Sequence, residues 1–339
     1  DLEGNPRTGK ISKLFGYSGM NKVEIKEAVA GDIVCVAGIS DIFVGESILD
    51  SAEQPALPGI SIDPPALAMD FLVNNSPFAG QEGSLVSTRN IRERLEKELE
   101  TNVGLQVEFP ENSDVFRVLG RGEMHLADLI ETMRREGYEL QVSPPEVIMQ
   151  EIDGKKHEPI ENVVVNVADE NSGKIIEALG KRKGIMKNMV SDKGLTTLEF
   201  EVPTRGLLGF RSPFILMTKG DGTYFHSFSH FAPYMGTIEK RAVGSLISGN
   251  TGATTAYSLW KLQERGPLFV GAALKIYEGM IIGEHNQGTD LTVNPIKPKQ
   301  LTNVRSSGTD ESVKLTPPLP MSLEKALEYI QAGEYVEVT

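Results

Sequence analysis

At 339 residues, with 40% hydrophobic and 24% charged side chains, the chain has room for two or three folded domains and the make-up of a globular protein, not a fibrous or disordered one. A formal net charge of -13 excludes a generally basic nucleic-acid binder, so any contact with RNA has to come from local patches. The single cysteine, Cys35, excludes an intramolecular disulfide and suits a reducing compartment, and no apolar run is long enough to cross a bilayer.

The sequence opens on Asp1, not on methionine, and lacks the charged-then-apolar start of a signal peptide, as expected of a piece of a longer protein. Gly4 to Lys10 nearly forms a phosphate-binding loop, but the next residue is Ile11, where a Ser or Thr hydroxyl is needed to hold magnesium. With Pro6 inside it and no apolar strand ahead of it, this segment reads as an exposed hairpin turn. Val23 to Glu27 and Ile33 to Ala37 are short strands around the turn Ala30-Gly31-Asp32. After the proline-rich link Pro55 to Pro65 comes a strand (Ala66 to Val73), then a helix (Arg89 to Glu100) with Ile91, Leu95 and Leu99 on one stripe. Strands around Gln106 and Phe116, a helix (Glu123 to Glu136) and a strand (Tyr138 to Val142) complete the order βαββαβ. Gly120-Arg121-Gly122 permits a tight strand-to-helix junction, and spacing alone favours a structural turn over a phosphate cradle. His125, beside Glu123 at the helix start, suits a hydrogen-bonded structural role.

A second block repeats the order. Val163, Val165 and Val167 alternate on a strand. Gly173 opens a helix carrying Ile175, Ile176 and Leu179, and Gly184 caps it. Strands Ile185 to Val190 and Leu195 to Val202 flank Asp192-Lys193-Gly194, Thr204 to Lys219 is helical, and Thr223 to Phe231 is a strand. Each block is expected to form a four-stranded sheet with its helices on one face. His226 and His230 would share a face of the last strand roughly 13 Å apart, at about 3.3 Å per residue, too far for one zinc. From about Arg241 the pattern turns to strands, glycines and a long polar loop. It closes on a helix with N-cap Ser322 and core face Leu323, Ala326, Leu327 and Ile330.

Charge is uneven along this acidic chain. Lys181, Arg182, Lys183 and Lys187 gather at the end of a predicted helix, where cations complement the helix dipole as readily as they meet phosphate. Arg205 and Arg211 bracket the apolar Leu207-Leu208-Gly209-Phe210, either as a pair of phosphate contacts or as the polar edge of a helix. Between Asp290 and Asp310 the chain carries Lys297, Lys299 and Arg305 and no acidic residue, so it is either a solvated connector or a loop with an anionic partner. No nucleophile-base-acid series and no metal-ligand set is visible.

Several long motifs resemble known families. EAVAGDIVCVAG (Glu27 to Gly38) resembles the later strands of the β-barrel second domain of translation factors. GRGEMHL (Gly120 to Leu126), followed by IETMRREGYELQVSPPEVIMQEI, resembles the third domain of elongation factor G. Glu158-Pro159-Ile160, Gly173-Lys174-Ile175-Ile176 and Lys181-Arg182-Lys183-Gly184 resemble its fifth domain. PTRGLLGFRS (Pro203 to Ser212), LQERGPLFVG (Leu262 to Gly271), YEGMIIGEHN (Tyr277 to Asn286), GTDLTVN (Gly288 to Asn294) and KQLTNVRSSGTDE (Lys299 to Glu311) resemble the BipA/TypA translational GTPases.

This resemblance spans essentially the whole chain. It implies a multidomain α+β and β fold: a partial translation-factor β-barrel over 1–60, ferredoxin-like βαββαβ domains over 61–151 and 152–238, and a family-specific β-rich C-terminal domain over 239–339. It further implies that GTP and magnesium belong to an N-terminal domain outside the chain, leaving this part non-catalytic. The implied partners are the ribosome, through rRNA and A-site tRNA, met by a cytoplasmic monomer that is linked to stress adaptation and ribosome assembly. The resemblance favours RNA contact for Lys181, Arg182, Lys183 and Lys187, and Arg205 and Arg211 are expected to join them. It implies tRNA contact for Lys297, Lys299 and Arg305, joined by Asn303 and Ser306. The alternatives are another ribosomal GTPase of the elongation factor G or elongation factor 4 type, or a stand-alone nucleotide- or metal-dependent enzyme.

Overall fold

The computed structural model of the chain describes residues 5–39, 42, 44–51, 53–58, 65–111, 113–238, 243–298 and 314–339. The chain first forms an antiparallel sheet of β1 (Lys13–Ser18), β2 (Asn21–Glu24) and β3 (Cys35–Ala37), in the order β2-β1-β3. No strand was expected at β1, whose sequence is interrupted by Gly16. That glycine is there for space, since a Cβ would lie 3.1 Å from Ile25 Cδ1. Residues 5–12 form no turn and no regular element, and Ser12 N–H donates to the Ala37 carbonyl at 2.7 Å. Among the described residues no sheet closes into a barrel.

The first αβ unit comprises β4 (Leu67–Val73), α1 (Thr88–Leu99), β5 (Gln106–Glu108), β6 (Val115–Gly120), α2 (Glu123–Arg135) and β7 (Leu140–Val142), with β8 (Glu146–Val147) also paired to β4. The apolar stripes fix the packing. Ile91 and Leu95 of α1 and Leu126, Ile130 and Met133 of α2 join Met69, Phe71, Phe116 and Leu140 in one core. Ser87 caps α1, accepting from Asn90 N–H while Asn90 reaches back to the Ser87 N–H. The Gly120 junction has a packing cause, because a Cβ there would lie 2.8 Å from Leu126 Cδ2. His125 Nδ1 accepts from Arg121 N–H at 3.3 Å, so its Nε2 carries the proton and donates to Asn102 Oδ1 at 3.0 Å.

The second αβ unit comprises β10 (Lys155–Ala168), α3 (Asp169–Lys181), β11 (Ile185–Asp192), β12 (Leu195–Pro203), α4 (Thr204–Leu207), α5 (Arg211–Thr218) and β13 (Gly222–Pro233), in the sheet order β11-β12-β10-β13. The short β9 (Gln150–Ile152) is added beside β10. Three expectations are corrected here. α3 starts at Asp169, with Asp169 and Glu170 in its first turn where the dipole favours carboxylates, and not at Gly173. The left-handed residue that ends α3 is Lys183 (φ 65), followed by Gly184, whose N–H donates to the Leu179 carbonyl at 2.8 Å. The single helix over 204–219 is two helices, split where Leu208 turns extended and Gly209 takes a left-handed φ of 63.

The C-terminal unit has β14 (Gly244–Ser248) between antiparallel β17 (Ile281–His285) and parallel β18 (Leu291–Val293). Beside them lie the pair β15 (Gly252–Ala253) and β16 (Lys275–Ile276) and helix α6 (Ala256–Leu262). Leu246, Leu259, Ile276 and Ile282 form its core. The chain then returns to the first unit. Helix α7 (Leu323–Tyr329), capped by Ser322 as expected, buries Leu327 against the first unit's core, and β19 (Val336–Val338) pairs with β7. The sheet order of that unit is therefore β19-β7-β4-β6-β5. Glu337 of β19 accepts from Asn74 Nδ2 at 2.7 Å and from Tyr277 Oη at 3.0 Å, which ties β4, β19 and the C-terminal unit together.

Candidate nucleic-acid interface

The C-terminal end of α3 opens onto a hollow of about 740 Å³ lined by Lys174, Lys181, Lys183, Met217 and Thr237. Lys181 is exposed and pairs with Glu177 at 2.7 Å. That hydrogen bond lowers the Glu177 pKa and raises that of Lys181. Lys187 stands at a bulge on the edge strand β11 and pairs with Glu201 at 2.7 Å. Surface pairs of this kind are screened by water and contribute little, so either lysine can exchange its carboxylate for a phosphate at small cost. Carbonyls at the helix end add to the preference for cations there.

The arginines divide differently. Arg182 turns inward and donates to the carbonyls of Gly206 at 2.8 Å and Leu208 at 2.9 Å, with its guanidinium over the Phe210 ring. Burial lowers its pKa, and its donors hold the α4–α5 turn against α3. Arg205 forms a forked pair with the fully buried Glu158, donates to the Gly236 carbonyl and stacks over Tyr234 at 4.5 Å. Glu158 also accepts from Met235 N–H at 2.7 Å. Both guanidiniums are thus committed inside the fold. Arg211 is exposed, with Met124 Sδ 3.8 Å away.

Lys297 lies just after β18, with its side chain exposed. Its carbonyl accepts from Thr255 Oγ1 at 2.8 Å and Ser258 Oγ at 2.6 Å, which fixes this end of the polar loop to the first turn of α6. Lys299, Asn303, Arg305 and Ser306 lie outside the described residues.

The two histidines do not share a face. A bulge shifts the register so that His226 pairs with Val163 and His230 with Ile160, positions of opposite parity on β10. His226 Nδ1 is bonded to the Glu161 carboxylate, which raises the His226 pKa. Among the described residues no three His, Cys, Asp or Glu side chains group to hold a metal.

Glu123 accepts from Gly209 N–H at 3.3 Å, and Glu328 of α7 accepts from Ser212 Oγ at 2.8 Å, so carboxylates from two other units grip the α4–α5 turn. Burial, and then the Glu328 charge, push the Glu123 carboxyl up to about 7. From the usual 4.5 up to about 7 the unfolded chain has released this proton while the folded chain still holds it, so stability falls as pH rises through that window. Glu123→Gln is expected to flatten this decline, as read from urea midpoints at both ends of the window; a wild-type slope in the variant would refute the assignment. His226 adds to the same trend, because its protonated form stabilises the fold below 6.5 and that contribution is lost as pH rises through its raised folded value.

Family comparison follows these units closely. Residues 155–242 match the model of the elongation factor G C-terminus, and residues 243–339 match that of the TypA/BipA C-terminal domain. A large ribosomal subunit assembly factor BipA from Escherichia coli K12 is 49% identical over 341 residues, covering 100% of this chain and 56% of the relative. The proteins of the same name from Synechocystis and Haemophilus influenzae are each 49% identical over 99% of this chain, and the chain covers 57% and 55% of them. The chain belongs to the BipA/TypA family.

The chain spans little more than half the length of these BipA relatives. The BipA/TypA C-terminal match begins one residue before β14 and runs through α7 and β19, so the stretch that distinguishes the family also completes the sheet of the first αβ unit. Sequence reading missed Glu123, Glu158 and Glu328. Their partners lie 86, 47 and 116 residues away, beyond any local pattern.

Proposed function

We propose that this chain is the ribosome- and RNA-binding part of a BipA/TypA translational GTPase that acts in assembly of the large ribosomal subunit and in stress adaptation. The observation that carries this is the set of exposed lysines at the end of α3 and on the following strand β11, Lys181, Lys183 and Lys187, in the segment matched by the elongation factor G C-terminus. In this reading Arg211 and the segment bearing Lys297, Lys299, Asn303, Arg305 and Ser306 supply further RNA contacts, the segment with A-site tRNA and the α3 end with rRNA. Arg182 and Arg205 serve it by holding the scaffold. The strand orders β7-β4-β6-β5 and β13-β10-β12-β11 support reading both αβ units as ferredoxin-like, and β1–β3 as part of a translation-factor barrel.

GTP hydrolysis belongs to residues upstream of those present here. Ile11 offers no hydroxyl to magnesium, so the Gly4 to Lys10 segment does not fit a nucleotide and no catalytic step is assigned to it. The chain works as a cytoplasmic monomer until it meets the ribosome. Co-sedimentation with large subunits and hydroxyl-radical footprinting of their RNA, with and without the upstream GTPase part, provide the test. Retention that weakens with salt, with protections near an acceptor-arm site, is expected. No retention even at low salt would sink the proposal.

A further inference from the structure

A cleft of about 730 Å³ runs between the two αβ units and α7, within the ~300–1,000 Å³ range of small-molecule sites. Its walls are apolar. Met124, Ile215 and Phe228 are 56%, 47% and 42% exposed and converge on it from three elements, with Leu207 and Leu327 behind them. Large apolar side chains gathered in one concavity, not scattered singly, are the mark of a binding surface.

Charged groups of both signs share the lining, and one acidic pair meets at Gly209. Glu123 and Glu328 both line the cleft and both touch Gly209. Glu123 takes its N–H, and Glu328 Cβ lies 3.6 Å from where a Gly209 Cβ would be. A carboxylate has about four acceptor positions. The donors to this pair are one backbone N–H and one serine hydroxyl, and neither carboxylate forms an ion pair with Lys or Arg among the described residues. Of the other charged groups around it, Arg182 donates to carbonyls and its charge acts on both carboxylates, His226 is held by Glu161, Arg211 sits by Met124 and Tyr224, and Arg121, Glu324 and Lys325 complete the lining. Two neighbouring carboxylates in a largely apolar cleft, Glu123 desolvated by burial, are complementary to a cation on an apolar body.

The geometry points to a binding site for a small amphipathic amine, with its ammonium on Glu123 and Glu328 and its hydrocarbon part against Ile215, Phe228 and Leu327. This site is separate from the lysine surface and does not depend on RNA binding. Arg182 is one cation beside two carboxylates, so an ammonium supplies the second counter-charge and draws Glu123 into its ionised form; binding then releases a proton near neutrality and tightens as pH rises.

Calorimetric titration of the whole chain with phenylbutylamine, phenylbutanol and phenylbutyrate, three probes with one apolar body, separates the contributions. The amine is expected to bind saturably, at least about tenfold more tightly than the alcohol, and the carboxylate more weakly still. Glu123→Gln with Glu328→Gln should bring the amine down to the level of the alcohol, and Phe228→Ala should weaken every probe. Both variants should keep the wild-type circular dichroism. The amine's affinity should rise from about pH 6 to about pH 8 in the wild type only. The methyl resonance of Met124 should shift on binding, locating the probe in the cleft. Equal binding of amine and carboxylate, undiminished amine binding in the glutamine variant, or no saturation up to ~10 mM would overturn the assignment.

Discussion

Changing Lys181, Lys183 and Lys187 together to alanine is expected to weaken large-subunit binding by about a hundredfold near 0.15 M salt, since each phosphate contact carries a log-log salt slope of about 0.7 to 0.9. The slope itself should flatten by that amount for every phosphate no longer neutralised. Folding should barely change, because substitutions of exposed residues usually shift stability by no more than about 0.5 kcal/mol. The melting temperature is therefore the control that separates weakened RNA binding from a damaged fold. Arg134 and Arg135, both paired with Glu131, are the cationic comparison, and their alanine variants should bind as wild type does. Arg94 would be a poor comparison, being held between Glu98 and Glu136 with a side chain only 10% exposed. If the lysine variant kept wild-type affinity and slope, the interface would have to lie on the Lys297, Lys299 and Arg305 loop instead.

Arg205→Ala should do the reverse, costing about 3–5 kcal/mol of stability while leaving the salt slope of the folded protein unchanged. The cost arises from Glu158, which has no exposure to water and would be left without its forked partner. Arg205→Met combined with Glu158→Gln should recover most of the loss, because the amide oxygen still accepts from Met235 N–H and no bare charge is buried. Urea unfolding measures both. A loss below about 1 kcal/mol for Arg205→Ala would place the pair among weak surface bridges and return Arg205 to the RNA-facing set.

Local pattern carried much of the architecture. Ile91 and Leu95 on α1, Leu126, Ile130 and Met133 on α2, and Val163, Val165 and Val167 on β10 are buried as their periodicity predicts. Boundaries failed where a single residue decided them. Gly16 hid β1 because its reason, the approach of Ile25, lies across a hairpin, and Gly209 hid the break between α4 and α5. The basic clusters were legible as charge but not as roles. Lys181 and Arg182 are neighbours in sequence, yet one faces water and the other is consumed by carbonyls 24 and 26 residues away. Whether an arginine faces RNA or its own backbone depends on where a distant turn is placed, and composition does not contain that information. The pairing of β19 with β7 was equally out of reach, since a short strand names no partner.

That pairing has a consequence for how the protein is made. Asn74 and Glu337 are 263 residues apart, so a ribosome synthesising this chain releases β4 to β7 long before β19 can reach them. Units emerging from the exit tunnel usually fold as they appear, but this one has to wait with the open edge of β7 and the pocket for Leu327 uncovered. Closing a loop of that length costs entropy only logarithmically, so the delay is one of time more than of equilibrium. A nascent chain stalled after α6 would present an unpaired strand edge to its neighbours, and its molecules would be prone to join edge to edge through the place kept for β19.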